Sequence, residues 1–153
     1  MKIIVLAGGL STERDVSLSS AAGICRTLLE KGHDAFLLDV FMGLEHTPEN
    51  LEDVFTLPDH GLDIVKNIST EEPDLAAVKA SRPDQSDCFF GPNVIELCRL
   101  ADITFLGLHG GEGENGKLQA AFDLLGIKYT GPDSLGCAVA MHKGVAKQIF
   151  LES

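Results

Sequence analysis

After Lys2, the residues Ile3-Ile4-Val5-Leu6-Ala7 form an unbroken apolar run, the pattern of a parallel strand covered on both faces. Gly8-Gly9 ends it, and a polar loop follows, Leu10-Ser11-Thr12-Glu13-Arg14-Asp15. From about Val16 to Lys31 the apolar positions Ala21, Ile24, Cys25, Leu28 and Leu29 recur at threes and fours. That spacing predicts a helix, with Gly32 placed as its left-handed cap. Asp34 to Val40 predicts a second strand. Strand, helix, strand in this order implies a right-handed crossover and a parallel sheet.

Thr47-Pro48-Glu49-Asn50 has the form of a helix start, with a threonine cap and proline in the first turn. Residues 56–90 carry Pro58, Pro73 and Pro83 among many Asp, Glu and Ser residues; a short strand and an exposed excursion are expected there. Pro92 to Leu100 predicts a helix burying Val94, Ile95 and Leu97, and Ile103 to Leu108 another buried strand. His109 to Gly116 is a glycine-dense loop. Leu118 to Leu125 predicts a helix stopped by Gly126, and Lys128 to Thr130 a short last strand. Helices from about Leu135 to Met141 and from Lys143 onward complete the chain. The fold class expected is α/β, a three-layer open, mainly parallel sheet with helices on both faces.

Composition narrows the picture. The 153 residues, 44% hydrophobic, suit one domain. The formal charge of -11 argues against nucleic acid, whose phosphates need clustered Lys and Arg. The longest apolar stretches are strand-sized, short of the ~18 residues of a membrane span, so no membrane partner is expected. The first residues are too short an apolar run for a signal peptide. Cys25, Cys88, Cys98 and Cys137 form no CxxC and sit among apolar residues. They read as reduced, partly buried thiols of a cytoplasmic protein, with no metal site.

Ligands of an open parallel sheet gather beyond the carboxyl ends of its strands. Two loops leave such ends here: Gly8 to Ser17 and His109 to Gly116. If their strands are neighbours, the loops face each other across one crevice, with Glu13 and His109 near the same ligand. Gly111, Gly113 and Gly116 spell GxGxxG between a strand and a helix, so a dinucleotide site has to be weighed. Glu112 and Glu114 lie inside the motif and would face a pyrophosphate; that charge suits an ammonium group or a hydrogen-bonded scaffold better. Each residue also has a plain structural reading. Glu13 can serve the start of the first helix, His109 can be a satisfied imidazole and Lys143 a solvated lysine. Ser17, Ser19 and Ser20 can cap a helix, and the glycines can simply turn the chain. The order of these residues along the chain carries more than any one of them.

That order resembles the D-alanine–D-alanine ligase family. Gly8-Gly9-Leu10-Ser11-Thr12-Glu13-Arg14-Asp15-Val16-Ser17-Leu18-Ser19-Ser20 is similar to the family's first signature, roughly GGxSxE(R/H)(E/D)VSxxS. Leu108-His109-Gly110, with Gly113-Glu114-Asn115-Gly116 and Gln119, resembles LHGxxGE(D/N)GxxQ. Ile127-Lys128-Tyr129-Thr130-Gly131 resembles IPYTG, and Met141-His142-Lys143 resembles MDK at the start of a linker helix. His142 stands in place of the usual aspartate, Ala120 where glycine is common, and the segment from about Met42 to Pro92 is longer than in the shortest members.

The resemblance implies a Rossmann-like, pre-ATP-grasp fold over residues 1–132, with 133–153 beginning linker helices toward an ATP-grasp domain. It implies ATP-dependent joining of two D-alanines for peptidoglycan, through an acyl phosphate on the first that the amine of the second attacks. Glu13 matches the catalytic glutamate holding the first D-alanine's ammonium. Val16, which contacts the methyl group, Ser17 and His109 match the substrate site; Lys143 matches a lysine on the nucleotide phosphates. Gly8, Gly9, Gly110, Gly113, Glu114, Asn115 and Gly116 match structural loop positions, with Glu114 and Asn115 expected to brace Glu13. ATP and Mg2+ are the implied cofactors, the Mg2+ ligands falling outside this chain. The implied partners are D-alanine, the remainder of the polypeptide and a second copy in a homodimer. The helical pattern is still open at Ser153, and the family's remaining nucleotide lysines, its arginine for the intermediate and its Mg2+ carboxylates are implied to fall outside this chain, so these residues alone are expected to be inactive. D-alanine–D-lactate and D-alanine–D-serine ligases, or a non-catalytic Rossmann-like binding module, are the alternatives.

Overall fold

The computed structural model describes residues 1–65 and 72–152. Three strands form one parallel sheet: β1 (Lys2–Ala7), β2 (Asp34–Asp39) and β3 (Ile103–Leu106), in the order β2-β1-β3. β1 is central and pairs along its whole length with β2, Lys2 opposite Asp34 through Ala7 opposite Asp39. On its other edge Ile3 to Leu6 pair with Ile103 to Leu106.

Alternation sorts β1 onto two cores. Ile3, Val5 and Ala7, with Ala35 and Leu37 of β2, meet helix α1 (Arg14–Glu30) through its Leu18, Ala21, Ala22 and Cys25. Ile4 and Leu6, with Phe36, Leu38 and Val40, meet the opposite layer. That layer is built by Val54 and Phe55 of the 3-10 helix Leu51–Thr56, by α3 (Val94–Leu100) and by α4 (Lys117–Leu125). Both sheet faces are therefore covered, which is why β1 reads as a continuous apolar run. Each of the larger groups here, the buried Val, Leu, Ile and Phe side chains, contributes roughly 1.5–3 kcal/mol of transfer free energy.

Two helices end on the same device. His33 N–H donates to Leu28 O at 3.1 Å and Gly32 N–H to Leu29 O at 2.9 Å, with Gly32 at φ +79°. Ile127 N–H donates to Phe122 O at 2.9 Å and Gly126 N–H to Asp123 O at 3.3 Å, with Gly126 at φ +67°. Both are Schellman closures, which need a left-handed residue just past the helix.

Several boundaries differ from the expectation. α1 begins at Arg14, two residues before Val16, because Ser11 O already accepts the Arg14 N–H at 3.1 Å. No helix starts at Thr47. Asn50 caps the next element instead, its side chain accepting the Glu52 N–H at 3.3 Å. That element stays a 3-10 helix ending at Thr56, since Leu57 is extended before Pro58, as residues preceding proline generally are. Among the described residues of 56–90 there is no strand: a 3-10 turn at Leu62–Ile64 and α2 (Leu75–Ser81) stand there, and 66–71 lie outside the described residues. Lys128 to Thr130 makes only an isolated bridge, Tyr129 to Thr104. The Thr130 hydroxyl takes the Leu106 N–H at 3.1 Å, and Gly131 at φ +106° then turns the chain away. α5 (Ser134–Met141) and α6 (Lys143–Glu152) follow, α6 packed on α5.

Candidate functional site

The order β2-β1-β3 makes the junction of β1 and β3 a switch point, where successive connections leave on opposite faces and open a crevice. Both loops singled out in the sequence leave carboxyl ends at this junction.

The first loop is held from beneath by a buried ion pair. Arg14 Nη2 contacts Asp39 Oδ2, while Arg14 Nη1 donates to Gly9 O at 2.7 Å. Asp39 Oδ1 also accepts the Phe41 N–H at 2.9 Å and the Met42 N–H at 3.1 Å. One carboxylate thus ties the end of β2 to the start of α1. Gly8, at φ +74°, passes directly over it: a Cβ there would stand 2.6 Å from Asp39 Oδ2.

Three serines of the first loop and α1 clasp the second loop. Ser17 Oγ accepts the Gly8 N–H at 3.0 Å and donates to Gly107 O at 2.8 Å. Ser11 Oγ donates to His109 O at 2.6 Å. Ser20 Oγ lies 3.0 Å from His109 Nε2. Between them Glu13 reaches across: a Cβ on Gly110 would stand 2.7 Å from Glu13 Oε2. Glu13 occupies the N-cap position of α1, yet its side chain makes no capping hydrogen bond. Its carboxylate is exposed and turned toward the other loop.

The glycine loop is shaped by close approach. Gly110, at φ +69°, leads into a 3-10 turn over Gly111–Gly113. A Cβ on Gly113 would meet Leu108 Cβ at 2.4 Å, and one on Gly116 would meet Ser134 O at 2.3 Å. Buried Gln119 of α4 pins the turn, Nε2 donating to Gly113 O at 2.8 Å. Asn115 Oδ1 accepts the Lys117 N–H at 3.1 Å. That amide is one a pyrophosphate would need at the start of α4, so the GxGxxG geometry is not a dinucleotide cradle.

Along one crevice the structure brings together His109, Gly8, Gly9 and Gly110, with the Glu13 carboxylate laid against Gly110. Ser17 lies beside them but is fully buried, its hydroxyl engaged by Gly8 and Gly107; it fastens the loops rather than lining the opening. Val16 is 46% exposed on α1. Asn115 braces α4, and Glu114 lies with Gln119 and Cys137 along a hollow between α4 and α5. Lys143 is the exposed first residue of α6. Among the described residues no three His, Cys, Asp or Glu side chains gather as a metal site.

Residues not anticipated from the sequence complete the surroundings. Arg14 and Asp39 are one pair; the signal was available in Asp39, an acid inside the apolar stretch from Ala35 to Phe41. Arg82 is another, 1% exposed. It pairs with Asp84 (Nε to Oδ1 2.7 Å, Nη2 to Oδ2 3.0 Å), donates to Cys88 O at 2.5 Å and to Phe90 O at 3.2 Å, and lies 4.8 Å over the Phe41 ring. Hydrogen bonding from Arg82 holds the Asp84 carboxyl below its ordinary pKa. This knot sets residues 82–90 beside the crevice, where Phe89 meets Leu10 and Glu112 along a groove of about 640 Å³.

Residues 2–132 match the family model described as D-ala D-ala ligase N-terminus. Among proteins named D-alanine–D-alanine ligase, that of Lacticaseibacillus casei is 46% identical over 153 residues, covering 99% of this chain and 42% of its own length. That of Pediococcus pentosaceus is 47% identical over 154 residues, covering 99% and 43%. The chain thus spans about two-fifths of these relatives. The solved D-alanine–D-alanine ligase of Coxiella burnetii superposes with a TM-score of 0.61 at 24% identity, covering 99% of this chain and 42% of that one. The Bacillus anthracis D-alanine–D-alanine ligase solved with ATP gives 0.60 at 21%, covering 99% and 36%; at that identity both speak for the fold. With the family model covering the whole sheet and both clasped loops, this chain belongs to the D-alanine–D-alanine ligase N-terminal family.

Proposed function

We propose that residues 1–132 are the amino-acid-binding domain of an ATP-dependent D-alanine–D-alanine ligase, and that 133–153 begin its linker. The observation that carries the reading is the Glu13 carboxylate, uncapped and laid against Gly110 beside His109. It offers an anion at the rim of a crevice formed at a switch point. A charge-assisted contact from an amino acid's ammonium is the strong kind of hydrogen bond. Glu112 and Glu114 add negative charge on the same loop, which favours a cationic amine over a phosphate.

In this reading Glu13 holds the ammonium of the first D-alanine, His109 lines its site and Val16 offers the apolar contact for its methyl group. Ser17, buried beneath, keeps the two loops in register. Lys143 supplies an ammonium to the nucleotide phosphates. ATP would activate the D-alanine carboxylate as an acyl phosphate, and the amine of the second amino acid would displace phosphate. The Mg2+ carboxylates belong to the rest of the polypeptide, so these residues alone turn nothing over. The whole protein is a cytoplasmic enzyme of peptidoglycan synthesis, and a homodimer is its expected assembly. D-Lactate and D-serine are the competing second substrates, since their determinants lie in the remainder.

Calorimetric titration tests the binding half. D-Alanine should bind weakly and in preference to L-alanine, and Glu13→Gln should abolish the heat. Equal binding of propionate, which lacks the amine, would overturn the reading. For the chemical half, ATP hydrolysis with D-alanine by residues 1–153 should stay at background. The full polypeptide, offered D-alanine, D-serine and D-lactate in turn, should make the D-alanine dipeptide fastest.

A further inference from the structure

A serine hydroxyl carries one proton, and two neighbours compete for that of Ser20. Its Oγ lies 3.1 Å from Ser17 O and 3.0 Å from His109 Nε2. A carbonyl oxygen can only accept, whereas an imidazole nitrogen does either according to tautomer. The Ser20–Ser17 contact therefore takes the proton and leaves only oxygen lone pairs for the ring. From this we infer that Ser20 is a positioning residue that holds neutral His109 as the Nε2–H tautomer, leaving Nδ1 as the ring's acceptor.

The neighbouring contacts fit this assignment. Ser11 grips His109 by its main-chain oxygen, which fixes the backbone and says nothing of the ring. Ser17 and Ser20 stand three apart on α1 and so share one face. One turn of helix thereby fastens the β3 end at Gly107 and orients the ring two residues on. The orientation of a histidine is commonly set in this way, by the bond that its other nitrogen makes.

The consequence concerns ligand class and rests on the D-alanine reading above. With Nε2–H engaged by Ser20, a neutral His109 can accept from a ligand N–H but cannot donate to a ligand carboxylate. Together with the Glu13 carboxylate, the neutral ring then has only an acceptor left to offer a ligand, the pairing that suits an amine.

Two-bond nitrogen–proton spectra of histidine-labelled protein, at alkaline pH where imidazoles are neutral, test the tautomer directly. His109→Gln identifies the signal. The wild type should show a pyrrole-type Nε2 and a pyridine-type Nδ1. Ser20→Ala should convert this to a mixture, and Ser20→Thr, which keeps a hydroxyl, should restore it. A wild-type Nδ1–H form, or an unchanged pattern in Ser20→Ala, would overturn the inference. In parallel, Ser20→Ala should weaken D-alanine roughly three- to tenfold, the loss of about one hydrogen bond, and Ser20→Thr should recover it. Should D-alanine fail to bind the wild type, the functional reading falls while the spectra still decide the tautomer.

Discussion

The Glu13 carboxylate rests where a side chain on Gly110 would begin, Oε2 standing 2.7 Å from the position of an added Cβ. Gly110 is at φ +69° and ψ 177°, an extended positive-φ conformation essentially confined to glycine, which costs a residue with a Cβ on the order of 1–3 kcal/mol. Glu13 is exposed and can swing aside, so Gly110→Ala should lower stability by only that strain. The carboxylate would nevertheless be displaced. D-Alanine affinity, followed by calorimetry, should fall at least tenfold while the urea midpoint shifts modestly; unchanged affinity would mean that Glu13's placement does not matter.

Breaking the buried Arg14–Asp39 pair should be far more costly to the fold. Arg14→Met leaves a buried carboxylate without its cation, worth about 3–5 kcal/mol. Asp39→Leu should cost more, because it also orphans the Phe41 and Met42 amides. For the same reason the double substitution should not return to wild type. Equilibrium urea unfolding of the three variants checks the ranking.

Ser17 and Ser20 share a helix face and should behave oppositely in stability. Ser17→Ala strands the buried Gly8 N–H and Gly107 carbonyl, which should cost about 1–3 kcal/mol. Ser20 is exposed, and Ser20→Ala should change the melting temperature little. Thermal melts that rank them the other way would contradict the clasp at Ser17.

Alkaline pH should loosen the cores. Burial pushes the Cys25 thiol up to about 11 and Cys98 to about 12, from 9.0; burial, then Asp123, pushes Tyr129 up to about 12, from 10.0. These acids are neutral when folded, and their folded pKa values lie above the unfolded ones. Their contribution is therefore complete below about pH 9 and is lost as pH rises through about 11 to 12. Melting temperature should be flat from neutral pH to about 9 and fall beyond it, less steeply in Cys98→Ala. A thiol reagent at pH 8 should label exposed Cys88 first and spare Cys25 and Cys98.

Acid should loosen the 82–90 knot, leaving the Arg82 bonds to Cys88 O and Phe90 O in place. Arg82 holds the Asp84 carboxyl below its ordinary pKa, so this pairing is intact above about pH 4 and lost as pH falls through the depressed value. Limited proteolysis between Arg82 and Phe90 should accelerate at that point. Arg82→Lys, whose single ammonium cannot reach Asp84, Cys88 O and Phe90 O together, should be cut readily even at neutral pH.

The residues explain why some features were legible and others were not. The β1-α1-β2 unit was readable because a buried parallel strand and an amphipathic helix have distinct periodicities, and because Gly32 and Gly126 supply conformations that few other residues accept. The clustering of Glu13 and His109 was readable from loop positions, given that parallel sheets place such loops on one edge. The missing strand at Lys128–Thr130 was not, since it depended on a side-chain hydroxyl replacing a main-chain acceptor at Leu106. Residues 82–90 were opaque because their order comes from one arginine bonding main-chain oxygens, and hydrophobic periodicity carries no trace of that.

By itself the sequence determined the α/β class, the family and the two loops that meet at the crevice, because apolar period and motif spacing are local properties of the chain. Only the tertiary structure decided which side chains face the crevice and which lie beneath it. Ser17, Arg14 and Asp39 are polar residues that look available to a ligand but are engaged by buried backbone and by each other. Their roles depend on partners as much as 90 residues away, and it was the pairing of β1 with β3 that brought those partners within hydrogen-bond reach.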